Sequence, residues 1–319
     1  MQVQESLLRD IARLIIWYPI RWLVIILPVR WGYRLFDFFG LLHMIASRNK
    51  AKKLDLLFTE NYGKNSTCNT KKYFKLHYRD RLQIFYFPRF RRSNAWQKIV
   101  SIENPSILDE CKKKRGIIFL HPHMGLIQLQ NFILYSRDLN IMQLGFPDSE
   151  ELSMIGTNIA FRKRLYYESF IPGGVYSIEH FLRPVIKWLK DGNCILTTGD
   201  GQGRKDFRGK YKVFKFLDGY YPFPLGAAKL ACFTDSIIIP IFMKEEQDLS
   251  YKLVLTEIIK PEDLDYNIER ITGVFIKRFE NFLVEYPWCW HFWDSVLEKT
   301  LFSHDETEIK NTIEEKLNG

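Results

Sequence analysis

Residues 116–128, GIIFLHPHMGLIQ, decide the fold. Residues 116–120 are an apolar run of the length of a buried strand, the chain stops at a His-Pro-His turn, and apolar residues then resume with a helical pattern. Open α/β sheets gather reactive side chains just past the carboxyl ends of their strands, so the turn delivers its histidines to such an edge. His123, with Gly125 two residues on, is the candidate base. His121 points the other way in extended geometry and reads as a packed or capping residue.

Outward from this stretch, strand-like runs at 141–145, 193–198, 236–242 and 251–258 alternate with helical patterns at 178–190 and 225–232. Such alternation implies an α/β fold, a mostly parallel central sheet flanked by helices. With 319 residues and 46% hydrophobic content the chain buries a large core, and one main domain is expected. Five widely spaced cysteines without a CxxC pair encode neither a disulfide framework nor a zinc site.

A net charge of +9 with 15% aromatic residues suits anionic lipid surfaces or nucleic acid. Residues 11–27, IARLIIWYPIRWLVIIL, are strongly apolar, yet Arg13, Pro19 and Arg21 interrupt them, and the uncharged run falls short of the ~20 residues a spanning helix needs. Trp17, Tyr18, Trp22 and Trp31 prefer the headgroup level, and the neighbouring arginines reach lipid phosphates. An N-terminal membrane-interface helix over residues 1–32, kinked at Pro19, is therefore expected. Residues 33–60 read as helical and 61–70 as a polar loop. Residues 71–92 interleave bases with aromatics, which fits single-stranded nucleic acid, a lipid-facing element, or a half-buried helix with snorkelling basic side chains.

Further along, CILTTGDGQG places Asp200 in a glycine-flanked turn after a strand. A dinucleotide-loop reading of GDGQG fails, because the third glycine is missing and RKDFRGKYK opens no apolar helix. Arg204, Lys205, Arg208, Lys210 and Lys212 form a cationic loop able to meet phosphates or an acidic partner. The charged residues 303–319 read as a solvated helical tail.

Four segments carry a family resemblance. His123-Met124-Gly125-Leu126-Ile127-Gln128 stands in register with an HxxxxE/D motif, and Asp200 with an Asp-Gln pair, Gln202 being displaced by one residue. FKFLDGYYPFPLGAAKLACFTDSIIIPIF follows the order of an aromatic segment (216–219), a helix near a proline (222–231) and a strand ending in Ile239-Pro240. Pro287, Trp288, Trp290, His291 and Trp293 match a closing Pro/Trp-rich stretch. Together they resemble the bacterial lipid A late acyltransferase family, within the lysophospholipid acyltransferase superfamily.

The resemblance implies an acyltransferase-like α/β domain over residues 33–302. Its activity would be transfer of a fatty acyl group from an acyl carrier protein or coenzyme A thioester to a hydroxyl, or an amine, of a lipid or glycolipid acceptor. It implies His123 as base and one phosphate-binding arginine in the region of Arg162 and Arg164, which with Arg204 and Lys205 make the candidate substrate-binding set. The tryptophans of 287–293 are expected to pack the core or line the acyl groove. No cofactor, metal or nucleic acid is expected, and the site of work is the cytoplasmic face of the inner membrane. The family acid is replaced by Gln128, which we expect to orient the ring through its amide oxygen without supplying charge, with Asp200 as a second polar group. We take activity to be retained, because His123 and Asp200 stand in otherwise intact settings. The alternatives are a non-catalytic acyl-lipid-binding or regulatory member of the fold, and a nucleic-acid binder using 71–92.

Overall fold

Apolar runs without alternation, such as IIFLH, form strands that helices cover on both faces. The computed structural model describes residues 7–63, 66–112, 115–145, 154–177, 182–201, 211–298 and 302–318. Its strands are β1 (Val100–Glu103), β2 (Ile117–His121), β3 (Ile141–Gly145), β4 (Val175–Ser177), β5 (Cys194–Thr198), β6 (Tyr211–Phe216), β7 (Gly219–Pro224), β8 (Ile237–Glu245) and β9 (Tyr251–Leu255). Seven of them make one sheet in the order β1-β9-β8-β2-β5-β3-β4, and β6 pairs with β7 in a separate hairpin. All pairs in the large sheet are parallel except β8 with β9. Every residue of β2, near the middle, is buried.

Around the strands lie helices α1 (Leu7–Ile15), α2 (Arg21–Ile26), α3 (Val29–Ala46), α4 (Arg48–Tyr62), α5 (Ser66–Leu82), α6 (Phe87–Ser93) and α7 (Leu129–Tyr135). The later helices are α8 (Ile155–Glu168), α9 (Arg183–Lys190), α10 (Gly226–Thr234), α11 (Ile268–Glu285), α12 (Trp293–Leu297) and α13 (Glu306–Asn318). The parallel α/β architecture is the one expected. Several local expectations are corrected. The helix read over 33–60 breaks at Ser47, and most of the polar stretch 61–70 is helix, the end of α4 and the start of α5. The aromatic segment and Pro222 belong to the β6–β7 hairpin rather than to a helix start. Prolines survive there because a two-stranded ribbon leaves their positions at an edge. Residues 178–181, expected to start a helix, lie outside the described residues.

No helix among the described residues is long and apolar enough to cross a membrane, so a spanning N-terminal anchor is not supported. Pro19 sits in a π-turn, Ile16–Ile20, that joins α1 to α2 and tolerates its missing N–H. The two helices are fastened to the body: the buried Asp10 carboxylate accepts the Gly156 and Thr157 amides at the start of α8, at 3.0 and 2.6 Å. Trp17 packs edge-on against Phe85 at 5.0 Å. The opposite face leaves Leu7, Ile11, Ile15, Tyr18, Trp22 and Ile26 exposed, three or four residues apart.

In 71–92, Tyr73, Phe74, Phe85, Tyr86, Phe87 and Phe90 are all buried. Arg79 also turns inward, to Asp37, Glu245 and the Tyr251 hydroxyl. Rings committed to the core cannot stack on bases, so this stretch is the packed end of α5, a 3-10 turn and α6, with most of its basic side chains other than Arg79 at the margins. The tail helix α13 docks rather than standing off in solvent, with Ile309 and Ile313 buried and Ser303 bridged to Tyr220.

Candidate active site

Register brings the two key side chains together. β2 and β5 are parallel neighbours with His121 opposite Thr198, so the turns leaving both strands emerge side by side. The Gly199 amide donates to the His121 carbonyl at 2.8 Å and extends the pairing past the strand ends. Two residues beyond each strand stand His123 and Asp200.

Asp200 is fully buried and accepts three hydrogen bonds. His123 Nδ1 lies 2.8 Å from Oδ1, while the His123 backbone amide and the Trp290 indole Nε1 donate to Oδ2 at 2.9 and 2.7 Å. Burial alone pushes the carboxyl pKa up, but the facing His123 ring and these donors outweigh it and hold the group below the usual carboxylate range. An ionised Asp200 can only accept, so Nδ1 carries the ring proton. In the neutral imidazole the lone pair is then on Nε2. The His123 side chain is 26% exposed, and its ring lies 4.3 Å, centroid to centroid, from that of Phe292. The pair can therefore take a proton at Nε2 and stabilise the imidazolium through a buried charge.

The turn is built by a close approach. Gly125 has φ +66°, and a Cβ there would meet Met243 Cγ and its carbonyl oxygen at 2.6 Å. Only glycine fits such a conformation against backbone. The Gly125 amide donates to Cys289 O, and Met124 bridges to Trp290.

Gln128 does not take the orienting role expected of it. It precedes α7, its amide oxygen is buried and accepts no hydrogen bond from the described residues, and the ring proton on Nδ1 already goes to Asp200. The physical reason is the turn at 124–127, which carries Gln128 onto the start of α7. His121 is buried, its Nδ1 donating to the Pro122 carbonyl at 2.9 Å. Desolvation, with His123 nearby, brings its pKa down to about 4. Arg162 and Arg164 are exposed on α8, where Arg164 pairs with Glu168 one turn along. Arg204 and Lys205 lie outside the described residues. Trp290, expected to pack the core or line the acyl groove, also donates directly to Asp200, and its place in the Pro/Trp-rich stretch was the available signal.

Among the described residues no group of three or more His, Cys, Asp or Glu side chains is placed to hold a metal. The family model for bacterial lipid A biosynthesis acyltransferase matches residues 4–295. The chain belongs to this acyltransferase family. Comparison with curated proteins finds no match. In this member of the lipid A acyltransferase family the carboxylate partner of His123 comes from the turn after β5.

Proposed function

We propose that this protein moves a fatty acyl group from an acyl carrier protein or coenzyme A thioester to a hydroxyl, or an amine, of a lipid A precursor or related glycolipid. His123 Nε2 removes the acceptor proton as the acceptor oxygen attacks the thioester carbonyl. The tetrahedral intermediate collapses with loss of thiolate, which takes up a proton. Asp200 holds the Nδ1–H tautomer and offsets the positive charge that forms on the ring. The observation that carries this reading is the His123–Asp200–Trp290 arrangement, its carboxylate buried and its imidazole reachable, in an acyltransferase-family chain. It weighs against a non-catalytic member, since the charge missing at Gln128 is present from the turn after β5.

The reading includes work at the cytoplasmic face of the inner membrane. It is supported by the outward stripe on α1 and α2, where Trp22 is 58% and Ile26 78% exposed. Cations lie over its aromatic rings, Arg21 on Trp22 at 4.5 Å and Lys163 on Tyr18 at 5.0 Å. Aromatic-cation pairs beside exposed apolar residues suit the headgroup zone of a bilayer. The test is thiol release from an acyl thioester in the presence of acceptor lipid. His123→Ala is expected to reduce the rate by roughly 10²–10⁴-fold, the usual worth of general acid–base catalysis. Wild-type rates from that variant would remove His123 from the reaction.

A further inference from the structure

The turn that carries His123 has little regular structure of its own, and its backbone is held from outside at several points. The His123 carbonyl accepts from the His291 amide at 2.9 Å, and the Gly125 carbonyl accepts from His291 Nε2 at 2.7 Å. The Ile127 amide donates to Asp80 Oδ1 at 2.9 Å, an oxygen that also accepts from Gln83 Nε2 at 2.9 Å. His291 thus grips the turn with both its main chain and its ring, on either side of Met124.

The ring grip fixes a proton arrangement. A carbonyl only accepts, so His291 Nε2 carries a proton, and in the neutral ring its Nδ1 is bare. His77 Nδ1 lies 3.2 Å from that atom and must be the donor. Desolvation holds the His77 and His291 pKa values down, helped by the nearby charge of Arg81, which favours neutral rings. Lys50 and His43 also face His77, while His123 and Asp80 face His291, with Asp80 Oδ2 3.9 Å from Nε2 on the side where the proton sits. Tyr73 stacks on the His77 ring at 5.9 Å, and its hydroxyl reaches toward the His291 carbonyl at 3.4 Å.

We propose that His291 is a positioning residue for His123, seating the 123–127 turn through the Gly125 carbonyl in the Nε2–H tautomer that this carbonyl selects and the His77 Nδ1–H matches. The inference rests on His123 being the reacting base. A shift of the turn by about 1 Å is enough to cost on the order of 100-fold in rate.

The experiment uses the full chain with His291→Phe, which keeps a ring and loses the donor, and His291→Gln, whose side-chain amide restores an N–H. In thiol-release assays His291→Phe is expected to lower kcat by roughly 10- to 100-fold with KM changed less than about threefold, and His291→Gln to recover most of the loss. The pH profile of His291→Phe shifts, because the His123 ring no longer sits squarely on Asp200. ¹⁵N spectra of ring-labelled histidine are expected to show His291 as the Nε2–H tautomer and His77 as the Nδ1–H tautomer. A loss of activity that tracks only the folded fraction, with unchanged pH profile and no rescue by glutamine, would overturn the proposal. So would a His291 ring protonated on Nδ1 alone. If the wild-type protein transfers no acyl group, the functional reading fails. The positioning claim is then judged by the His123 ring spectrum, and unchanged His123 ¹⁵N shifts and tautomer in His291→Phe refute it. If His291→Phe does not fold, the tautomers of the wild-type rings and the His291→Gln rates decide.

Discussion

Asp200→Asn gives the sharpest test of the site. The asparagine amide must choose between two orientations. With its oxygen where Oδ2 was, it accepts both the His123 amide and the Trp290 indole, and its NH₂ faces His123 Nδ1. With its oxygen where Oδ1 was, it accepts from Nδ1 but sets NH₂ against two N–H donors. Each unsatisfied buried donor costs about 1–3 kcal/mol, so the second orientation lies about 2–6 kcal/mol higher. The first orientation therefore dominates, and it forces the ring proton onto Nε2, where the base lone pair is needed. At 1.36 kcal/mol per decade, the working tautomer is depleted roughly 30-fold to 3 × 10⁴-fold, and kcat for thiol release should fall by that factor between pH 6 and 9. Folding should be retained, since the dominant orientation leaves only the second asparagine N–H without a partner, a cost of about 1–3 kcal/mol. The same substitution in a serine-protease triad costs about 10⁴-fold for the same tautomeric reason. A variant within threefold of wild type, or a His123 ring still protonated on Nδ1 by ¹⁵N spectroscopy, would refute the reasoning.

Three further outcomes are expected. Gln128→Glu should leave kcat within about threefold of wild type, because one carboxylate already occupies Nδ1; a gain above tenfold would show that Asp200 does not supply the charge. His121, held near 4 when folded against an ordinary value near 6.5, binds fewer protons folded than unfolded between those values. Its contribution is full above pH 6.5 and is lost as pH falls toward 4, to a total of about 3 kcal/mol. In urea titrations, His121→Asn should lower the slope of stability against pH there by up to ~1.4 kcal/mol per pH unit, and an unchanged slope would contradict this. Replacing Trp22 and Ile26 together by glutamate should weaken binding to anionic vesicles by on the order of 100-fold or more, from about 1.5–3 kcal/mol per buried side chain. The melting temperature should stay put, since both are exposed, and undiminished sedimentation with vesicles would remove this face as the lipid contact.

The central strands were legible because their burial is written as uninterrupted apolar residues: IIFLH and CILTT fall within a residue of their expected bounds. Their adjacency was not. The pairing of β2 with β5 depends on sheet order, which no local pattern encodes, so Gln128, close in sequence, looked a better partner for His123 than Asp200, distant in sequence but adjacent in register. The hairpin at 211–224 escaped because Pro222 and Pro224 argue against a strand wherever an edge position is not known. In the basic-aromatic stretch, composition stated which residues were present but not which way they pointed, and the rings turned out to fill the core. Trp290 was visible as an aromatic residue. That its indole N–H serves a carboxylate depends on a contact 90 residues away in sequence.

The groups that seat His123 come from four widely separated parts of the chain: Asp80, the 123–127 turn, Asp200 and residues 289–291. During synthesis the imidazole therefore leaves the ribosome long before the last of its supports. A nascent or truncated polypeptide ending short of Trp290 owns the histidine and Asp200 without the clamp that residues 289–291 put on the turn, so the arrangement is complete only when the final stretch of the fold closes over it.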